Sequence, residues 1–201
     1  MKPYTFILDA GHGIDTPGKR SPVWEDGSQL LEYKFNRQVV EKIENIAKGL
    51  GIRTFNVCPE VTDVSLQERC NRANDYMANH RNENCIYVSV HGNAAGVEQA
   101  HGFEVFTFPN STRSILIADE IIAAVKEHLP SMKLRLDNSD GHGAKDARFA
   151  VLRKTFMPSI LTENGFFTNE KECKKMLTED FKFDIAVVHI LMMQKVIEKN
   201  I

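Results

Sequence analysis

The chain has 201 residues, of which 42% are hydrophobic and 26% are charged. These fractions are typical of a folded globular protein and exclude a disordered, collagen-like or disulfide-dense chain. The formal net charge of −2 does not favour nucleic acid as a partner, because proteins that neutralise phosphates are usually basic. Since domains average roughly 150 residues, we expect residues 1–201 to form a single domain.

The four cysteines lie far apart and form no C-x-x-C pair. This spacing predicts isolated thiols in a reducing compartment and disfavours a zinc ribbon or a disulfide framework. The apolar stretch at residues 6–8 is shorter than the core of a signal peptide, and no window approaches the ~18 consecutive apolar residues of a membrane span. We therefore expect a chain that is cytoplasmic as synthesised and does not insert into a membrane.

Taken in chain order, the first half of the sequence alternates predicted strands and helices. An apolar run at 6–8 predicts a buried strand that ends in a glycine turn, and the Gly- and Pro-containing segment 14–29 predicts a long loop. A helix follows from Leu30, and glycines end it before a strand at 52–57. Ser65, with Glu68 three residues later, predicts the N-terminus of a second helix. The expected inner face of this helix consists of Leu66, Cys70, Ala73 and Met77.

The second half continues this alternation. Strands are predicted at 86–90, 103–108 and 159–162, and a short strand at Val151 and Leu152. Helices are predicted at 114–129, 170–177 and 181–199, and residues 131–147 read as an irregular segment. Alternating elements of this kind favour an α/β fold, with a largely parallel or mixed sheet covered by helices on both faces.

Three of the predicted strands are followed by an ionisable residue that has a glycine close to it in the sequence. These ionisable residues are His12, His91 and Glu163. Ligand sites of open α/β sheets lie outside the carboxyl ends of the strands, so these side chains are candidates for one shared site. Either histidine is equally compatible with being an isolated polar residue at a strand end. Glu32 begins the first helix, where it either interacts with the helix dipole or serves as a third ligand. Two histidines and one carboxylate are a ligand set of catalytic zinc sites.

Five parts of the sequence carry a recognisable pattern. They are Leu8-Asp9-Ala10-Gly11-His12-Gly13, Glu32, Asp63-Val64-Ser65-Leu66-Gln67-Glu68-Arg69 with Ala73-Asn74, Ser89-Val90-His91-Gly92-Asn93-Ala94, and Leu161-Thr162-Glu163-Asn164-Gly165-Phe166 with Asn169. Together they resemble the zinc-dependent N-acetylmuramoyl-L-alanine amidases of the Amidase_3 type. They occur in the family's order, and the resemblance spans most of the chain, from about residue 5 to about residue 197.

This resemblance implies a twisted sheet of about six strands flanked by helices, in one catalytic amidase domain. It also implies that His12, Glu32 and His91 bind one Zn²⁺ per chain and that Glu163 is the catalytic glutamate. The implied reaction is hydrolysis of the amide between N-acetylmuramic acid and L-alanine in peptidoglycan. It assigns no substrate-binding residue, no second oxyanion donor and no oligomeric state.

The sequence departs from the family pattern mainly after His12, where a longer basic segment replaces a short glycine-rich turn. This segment, residues 14–22, leaves the shape of the substrate groove open. Trp24, which follows it, is expected to pack locally more readily than to stack on a sugar. His142 lies in a second Gly-His-Gly sequence, but we expect a surface or groove residue there and no ligand. Asp9 is equally compatible with orienting a ligand and with capping the turn.

Three functions remain as hypotheses. The first is a wall-degrading zinc amidase, with a phage or prophage lysis role favoured over wall recycling. The second is a zinc peptidase that cleaves another amide, and the third is a catalytically silent wall-binding module. The presence of all four residues implied by the family disfavours the silent module, because loss of Glu163 or a ligand would be its simplest signature.

Overall fold

The computed structural model describes residues 2–201 and is built around a six-stranded sheet. The strands are β1 (Tyr4–Ala10), β2 (Arg53–Asn56), β3 (Asn84–Asn93), β4 (Phe103–Thr107), β5 (Lys145–Asp146) and β6 (Ser159–Phe166). Their order across the sheet is β2-β1-β3-β6-β4-β5. β4 is antiparallel to β6, whereas the other neighbouring pairs are parallel. The predicted mixed sheet of about six strands is thereby confirmed.

Six helices lie against this sheet. They are α1 (Glu32–Gly49), α2 (Leu66–Asn79), α3 (Thr112–His128), α4 (Ala150–Lys154), α5 (Glu170–Met176) and α6 (Glu179–Lys199). Both α1 and α3 pack on α6, while α2 packs on α4. None of the helices in residues 2–201 is long and apolar enough to cross a membrane.

The two faces of the sheet differ in what covers them. Alternate side chains of a strand point to opposite faces, and every residue of β1 is buried, as expected for a strand covered on both sides. On one face, Thr162 of β6 contacts His189 of α6, with 3.0 Å between Oγ1 and Nε2. On the other face, Ser89 of β3 donates a hydrogen bond to Asp9 (2.7 Å), and Asp9 pairs with Arg69 of α2. The candidate site lies on this second face.

Local sequence signals explain several element boundaries. The side chain of Ser65 accepts a hydrogen bond from the backbone N–H of Glu68 (3.2 Å), which confirms the predicted start of α2. The loop at 14–29 is tied to the start of α1, since the hydroxyl of Ser21 accepts from the N–H of Leu30 (2.9 Å). The four cysteines are buried free thiols, as their spacing predicted.

Four local predictions are wrong. Lys145 and Asp146, expected within an irregular segment, form the two-residue strand β5, because they pair with β4 and not because of any local pattern. Val151 and Leu152 belong to helix α4 and not to a strand; an apolar pair is too short to show a period, so its burial alone does not distinguish the two structures. Leu66 is 56% exposed because it occupies the first turn of α2, beside the cavity described below. His91 and Glu163 do not follow strands β3 and β6 but lie inside them.

Candidate metal centre

His12 lies two residues beyond the end of β1, in a backbone conformation that few residues other than glycine adopt. Its φ is +63°, in the left-handed region, where a β-carbon is costly. Two arginine side chains hold the carbonyl of this residue. Arg37 of α1 donates from Nη1 (2.7 Å) and Arg69 of α2 donates from Nη2 (3.3 Å). The turn that directs the imidazole is therefore fixed from two helices.

Glu32 is the first residue of α1 and is 2% exposed. Its Oε1 lies 3.3 Å from Nε2 of His12 and 3.1 Å from Nδ1 of His91. Burial alone would raise the pKa of this carboxyl, but contacts with the two histidines outweigh burial and lower the pKa to about 2. Asn36, one turn further along α1, donates to the carbonyl of Gly11 (3.0 Å) and links the helix to the end of β1.

His91 lies in β3, and its imidazole is close to the backbone of Gly11. An added β-carbon at Gly11 would lie 2.1 Å from Cε1 of His91, so only glycine leaves room for the ring. Burial would lower the pKa of His91, but the carboxylates of Glu32 and Glu163 raise it overall. The rings of His12 and His91 meet edge to face, with centroids 5.1 Å apart.

The donor set of His12, Glu32 and His91 fits a zinc ion. Their ligand atoms all lie within 4.8 Å of one another. Ligands at about 2.1 Å from a tetrahedral ion are about 3.4 Å apart, close to the contacts that Glu32 makes with each histidine. Mixed imidazole and carboxylate ligation suits Zn²⁺ better than Mg²⁺ or Ca²⁺, which prefer oxygen.

Glu163 of β6 is paired in register with His91 of β3, so the two side chains share a face of the sheet. Its Oε2 is buried and has no hydrogen-bond partner within residues 2–201. Burial, together with the negative charges of Glu32 and Glu104, raises the pKa of this carboxyl to about 8, although His91 and Lys19 act in the opposite direction. The side chain of Glu163 is thus a buried carboxyl group with one oxygen that no protein group contacts.

A cavity of about 340 Å³ opens over these groups. Its lining includes His12, His91 and Glu163, and apolar side chains from α2, α4 and β6 form another part of its wall. The long loop contributes Lys19 to the lining, and the carbonyl of Lys19 accepts from the N–H of Glu32 (3.0 Å). A larger cavity of about 700 Å³, near α5 and α6, includes none of these residues.

Sequence reasoning missed the central part that Arg69 plays beneath the site. This arginine is 1% exposed; it pairs with Asp9 and Asp63 and donates to the carbonyls of Ala10 and His12. Asp9 therefore reaches the His12 turn through Arg69, and its side chain makes no direct hydrogen bond to either histidine within the described chain. The presence of Arg69 in one of the quoted segments was the available signal.

Other residues raised from the sequence lie outside the cavity. Asn164 is fully buried and donates to the carbonyl of His91 (3.0 Å). Trp24 packs against the core, as expected from local packing. His142 is half-buried, with its Nε2 3.1 Å from Asp140, and together with Asp146 these two form a second cluster of potential ligand atoms.

An ionised carboxylate and two imidazoles beside an open cavity are the arrangement found in zinc-dependent hydrolases, in which a fourth coordination position stays accessible. The family model described as N-acetylmuramoyl-L-alanine amidase, Amidase_3, matches residues 6–194. The chain belongs to this family, as the resemblance of its segments predicted.

Individual relatives agree with this assignment. The chain is 34% identical to the N-acetylmuramoyl-L-alanine amidase CwlM of Bacillus licheniformis and 29% identical to the endolysin of Bacillus phage SPP1, over 92% and 90% of its own length. It spans 65% and 62% of these two relatives, less than two thirds in each case. The crystal structure of an N-acetylmuramoyl-L-alanine amidase from Clostridium difficile 630 superposes with a TM-score of 0.84, at 25% identity, and 98% of each chain is covered.

Proposed function

We propose that this chain hydrolyses the amide bond between the lactyl group of N-acetylmuramic acid and L-alanine in peptidoglycan, using one zinc ion. The observation that carries the proposal is the convergence of His12, Glu32 and His91 next to Glu163, whose Oε2 is free. Membership of the amidase family supports the substrate class.

Each residue of the site has a defined task in this proposal. His12, Glu32 and His91 hold the ion, which when bound supplies Lewis acidity that polarises a carbonyl and lowers the pKa of a coordinated water from about 15.7 toward 7. Glu163 accepts the proton of the attacking water at Oε2 and then donates it to the departing amine of L-alanine. Burial raises the pKa of this carboxyl above its ordinary value, which makes it a better proton acceptor than an exposed glutamate.

The chain also keeps the ligands in place. Arg37 and Arg69 hold the carbonyl of His12, and Asn36 ties α1 to the end of β1. Fixing the ligands before substrate binds avoids reorganisation during the reaction, which is a large part of the catalytic effect of such sites.

Digestion of purified peptidoglycan, followed by mass spectrometry of the released fragments, tests the proposal. We expect free stem peptides that begin with the amine of L-alanine, and we expect their release to stop with a chelator and resume with zinc. Shortened stems that stay attached to the glycan would instead indicate a zinc peptidase. Binding to the wall without any cleavage would indicate a silent wall-binding module.

We further propose a lysis role, supported by the similarity to the SPP1 endolysin. Expression inside a bacterium should then leave the cells intact until their membrane is permeabilised, when turbidity should fall within minutes. The variant Glu163→Gln is the matched control. A turbidity loss that the variant reproduces would contradict the lysis role.

A further inference from the structure

A cluster of charged side chains continues the row formed by His91 and Glu163 across the sheet. Glu104 of β4 is the register partner of Glu163, so its carboxylate lies on the same face, one strand further along. Two carboxylates directly opposite each other in a sheet are unfavourable when both are ionised, and the charge of Glu104 contributes to the raised pKa of Glu163. Cations beside Glu104 compensate for this arrangement.

Glu104 is 7% exposed and binds three partners. Its Oε1 accepts from Nε of Arg135 (2.6 Å) and from Nζ of Lys145 (2.7 Å), and its Oε2 accepts from the side-chain amide of Asn93 (2.9 Å). The cluster therefore combines two cations with one carboxylate and keeps an excess of one positive charge. We call Glu104, Arg135 and Lys145 the cationic cluster.

The hydrogen-bonding capacity of the cluster is only partly used. Arg135 contacts Glu104 through Nε, and in residues 2–201 its two terminal nitrogens make no hydrogen bond to protein. The guanidinium lies 5.0 Å over the ring of Phe166, which fixes its plane. The side chains of Arg135 and Lys145 are 31% and 27% exposed, so both cations reach solvent on the side of the sheet that carries the cavity. A planar fork of free N–H groups is suited to bidentate binding of a carboxylate.

The position of the cluster indicates which part of a substrate would meet it. Neighbouring strands are about 4.8 Å apart, which puts the cluster about 5–10 Å from Glu163, or one to three residues of an extended peptide at about 3.4 Å each. In a muramoyl peptide the lactyl carboxyl is consumed in the scissile amide, so free carboxylates lie on the peptide side. We propose that Arg135 and Lys145, oriented by Glu104, bind a free carboxylate on the residue that follows L-alanine. This inference rests on the proposed amidase function.

A pair of substrates that differ in one group tests the subsite. The probes are N-acetylmuramoyl-L-alanyl-γ-D-glutamyl-L-lysine and the same compound with the α-carboxylate of glutamate converted to a carboxamide. For the unmodified protein with zinc, we expect kcat/KM for the probe with the free carboxylate to exceed that for the carboxamide by a factor of about ten. The difference should lie mainly in a lower KM, because the carboxylate would gain a charge-assisted hydrogen bond. Equal kcat/KM values for the two probes would overturn the subsite.

Variants separate substrate binding from a purely structural role. Arg135→Gln and Lys145→Gln should each reduce the preference for the acid, whereas Arg135→Lys should retain part of it because the charge remains. Arg113→Gln removes an exposed arginine of α3 and should leave the preference unchanged. If Arg135→Gln and Lys145→Gln both fold and reduce the rate of hydrolysis of the two probes by the same factor, the cations serve only to neutralise Glu104, and the proposal is wrong.

A binding measurement keeps this test separate from the amidase proposal. The peptides L-alanyl-γ-D-glutamyl-L-lysine and its α-carboxamide can be compared by titration calorimetry without turnover. Tighter binding of the peptide with the free α-carboxylate, lost in Arg135→Gln, would support the subsite. Absence of cleavage of both muramoyl probes would overturn the amidase function alone and would leave this binding result valid. Equal binding of the two peptides would overturn the subsite.

Discussion

At the scale of single residues, Glu163 combines a free carboxylate oxygen with a pKa raised to about 8. Because it binds no metal in the proposed arrangement, Glu163→Gln should lower kcat by a factor of about 10²–10⁴, the usual contribution of a general acid–base group, and leave zinc content unchanged. His91→Ala should lose both zinc and activity. Turnover on peptidoglycan and metal analysis of the same preparations measure the two effects. Near-normal turnover of Glu163→Gln would contradict the assignment.

Gly11 shows how a residue without a side chain can govern the proposed metal site. The absence of a β-carbon leaves room for the ring of His91. A β-carbon at this position would lie 2.1 Å from Cε1 of that ring, so Gly11→Ala must displace the imidazole or the end of β1. We expect zinc affinity to fall by about 10- to 100-fold, as for other changes that misplace a ligand. Competition with a chromogenic chelator measures this affinity.

Gly96→Ala is the matched control, since a β-carbon at this position meets no atom within 4 Å. Its zinc affinity should equal that of the unmodified protein. A Gly11→Ala protein that binds zinc equally well would show that the close approach to His91 does not restrict the site.

At the scale of elements, the packing of α6 on β6 carries a pH dependence of its own. Burial lowers the pKa of His189 from 6.5 to about 4, and the neutral ring lies between Thr162 and the carbonyl of Ile185. The unfolded chain therefore binds a proton at a higher pH than the folded one. The stability from this site is complete above pH 6.5 and is lost as the pH falls through about 4.

Replacing His189 by glutamine should remove this dependence. A pKa difference of about 2.5 corresponds to about 3 kcal/mol in the free energy of unfolding. The difference in the free energy of unfolding between the unmodified protein and His189→Gln should therefore change by about 3 kcal/mol between pH 6.5 and pH 4. Urea denaturation at several pH values measures it. The comparison is a difference between two proteins, so groups other than His189 cancel. A gap that is constant with pH would contradict the burial of a neutral ring.

The elements that the sequence predicted well are those in which apolar residues recur regularly over many positions or a capping residue marks the start. Helix α1 and the capped start of α2 follow from local patterning, because each repeats apolar positions over several turns or has a capping side chain. Val151 and Leu152 offered only two residues and were assigned to the wrong structure. The predicted ends of β3 and β6 were too early, because pairing with a neighbouring strand, and not local sequence, extends them past His91 and Glu163.

The candidate site also contains residues that the sequence identifies and residues that only the fold brings together. His12, Glu32, His91 and Glu163 could be named in advance because strand ends and family segments mark them, although their roles stay predictions. Glu104, Arg135 and Lys145 could not be found this way. Their association depends on the register of β4 against β6 and β5, which is set by contacts between segments that are distant in the chain.

At the scale of the whole molecule, zinc should stabilise the fold if the proposed ligands bind it. An ion at 100 times its Kd adds about 2.7 kcal/mol to the free energy of unfolding, or a rise in Tm of roughly 5–10 °C for a chain of this size. Thermal unfolding with a chelator, with zinc and with magnesium measures this rise, and magnesium should have little effect. An equal rise with zinc in His91→Ala would place the ion elsewhere.

The position of β6 has a consequence for when an active molecule first exists. This strand is the last to be synthesised, yet it lies between β3 and β4 in the sheet and carries Glu163. A nascent chain that still lacks residues 159–166 has a gap in the middle of its sheet and lacks Glu163, the proposed proton-transfer group. Chains that end before residue 159 are therefore expected to be inert, and the proposed activity is expected only once this strand has joined the sheet.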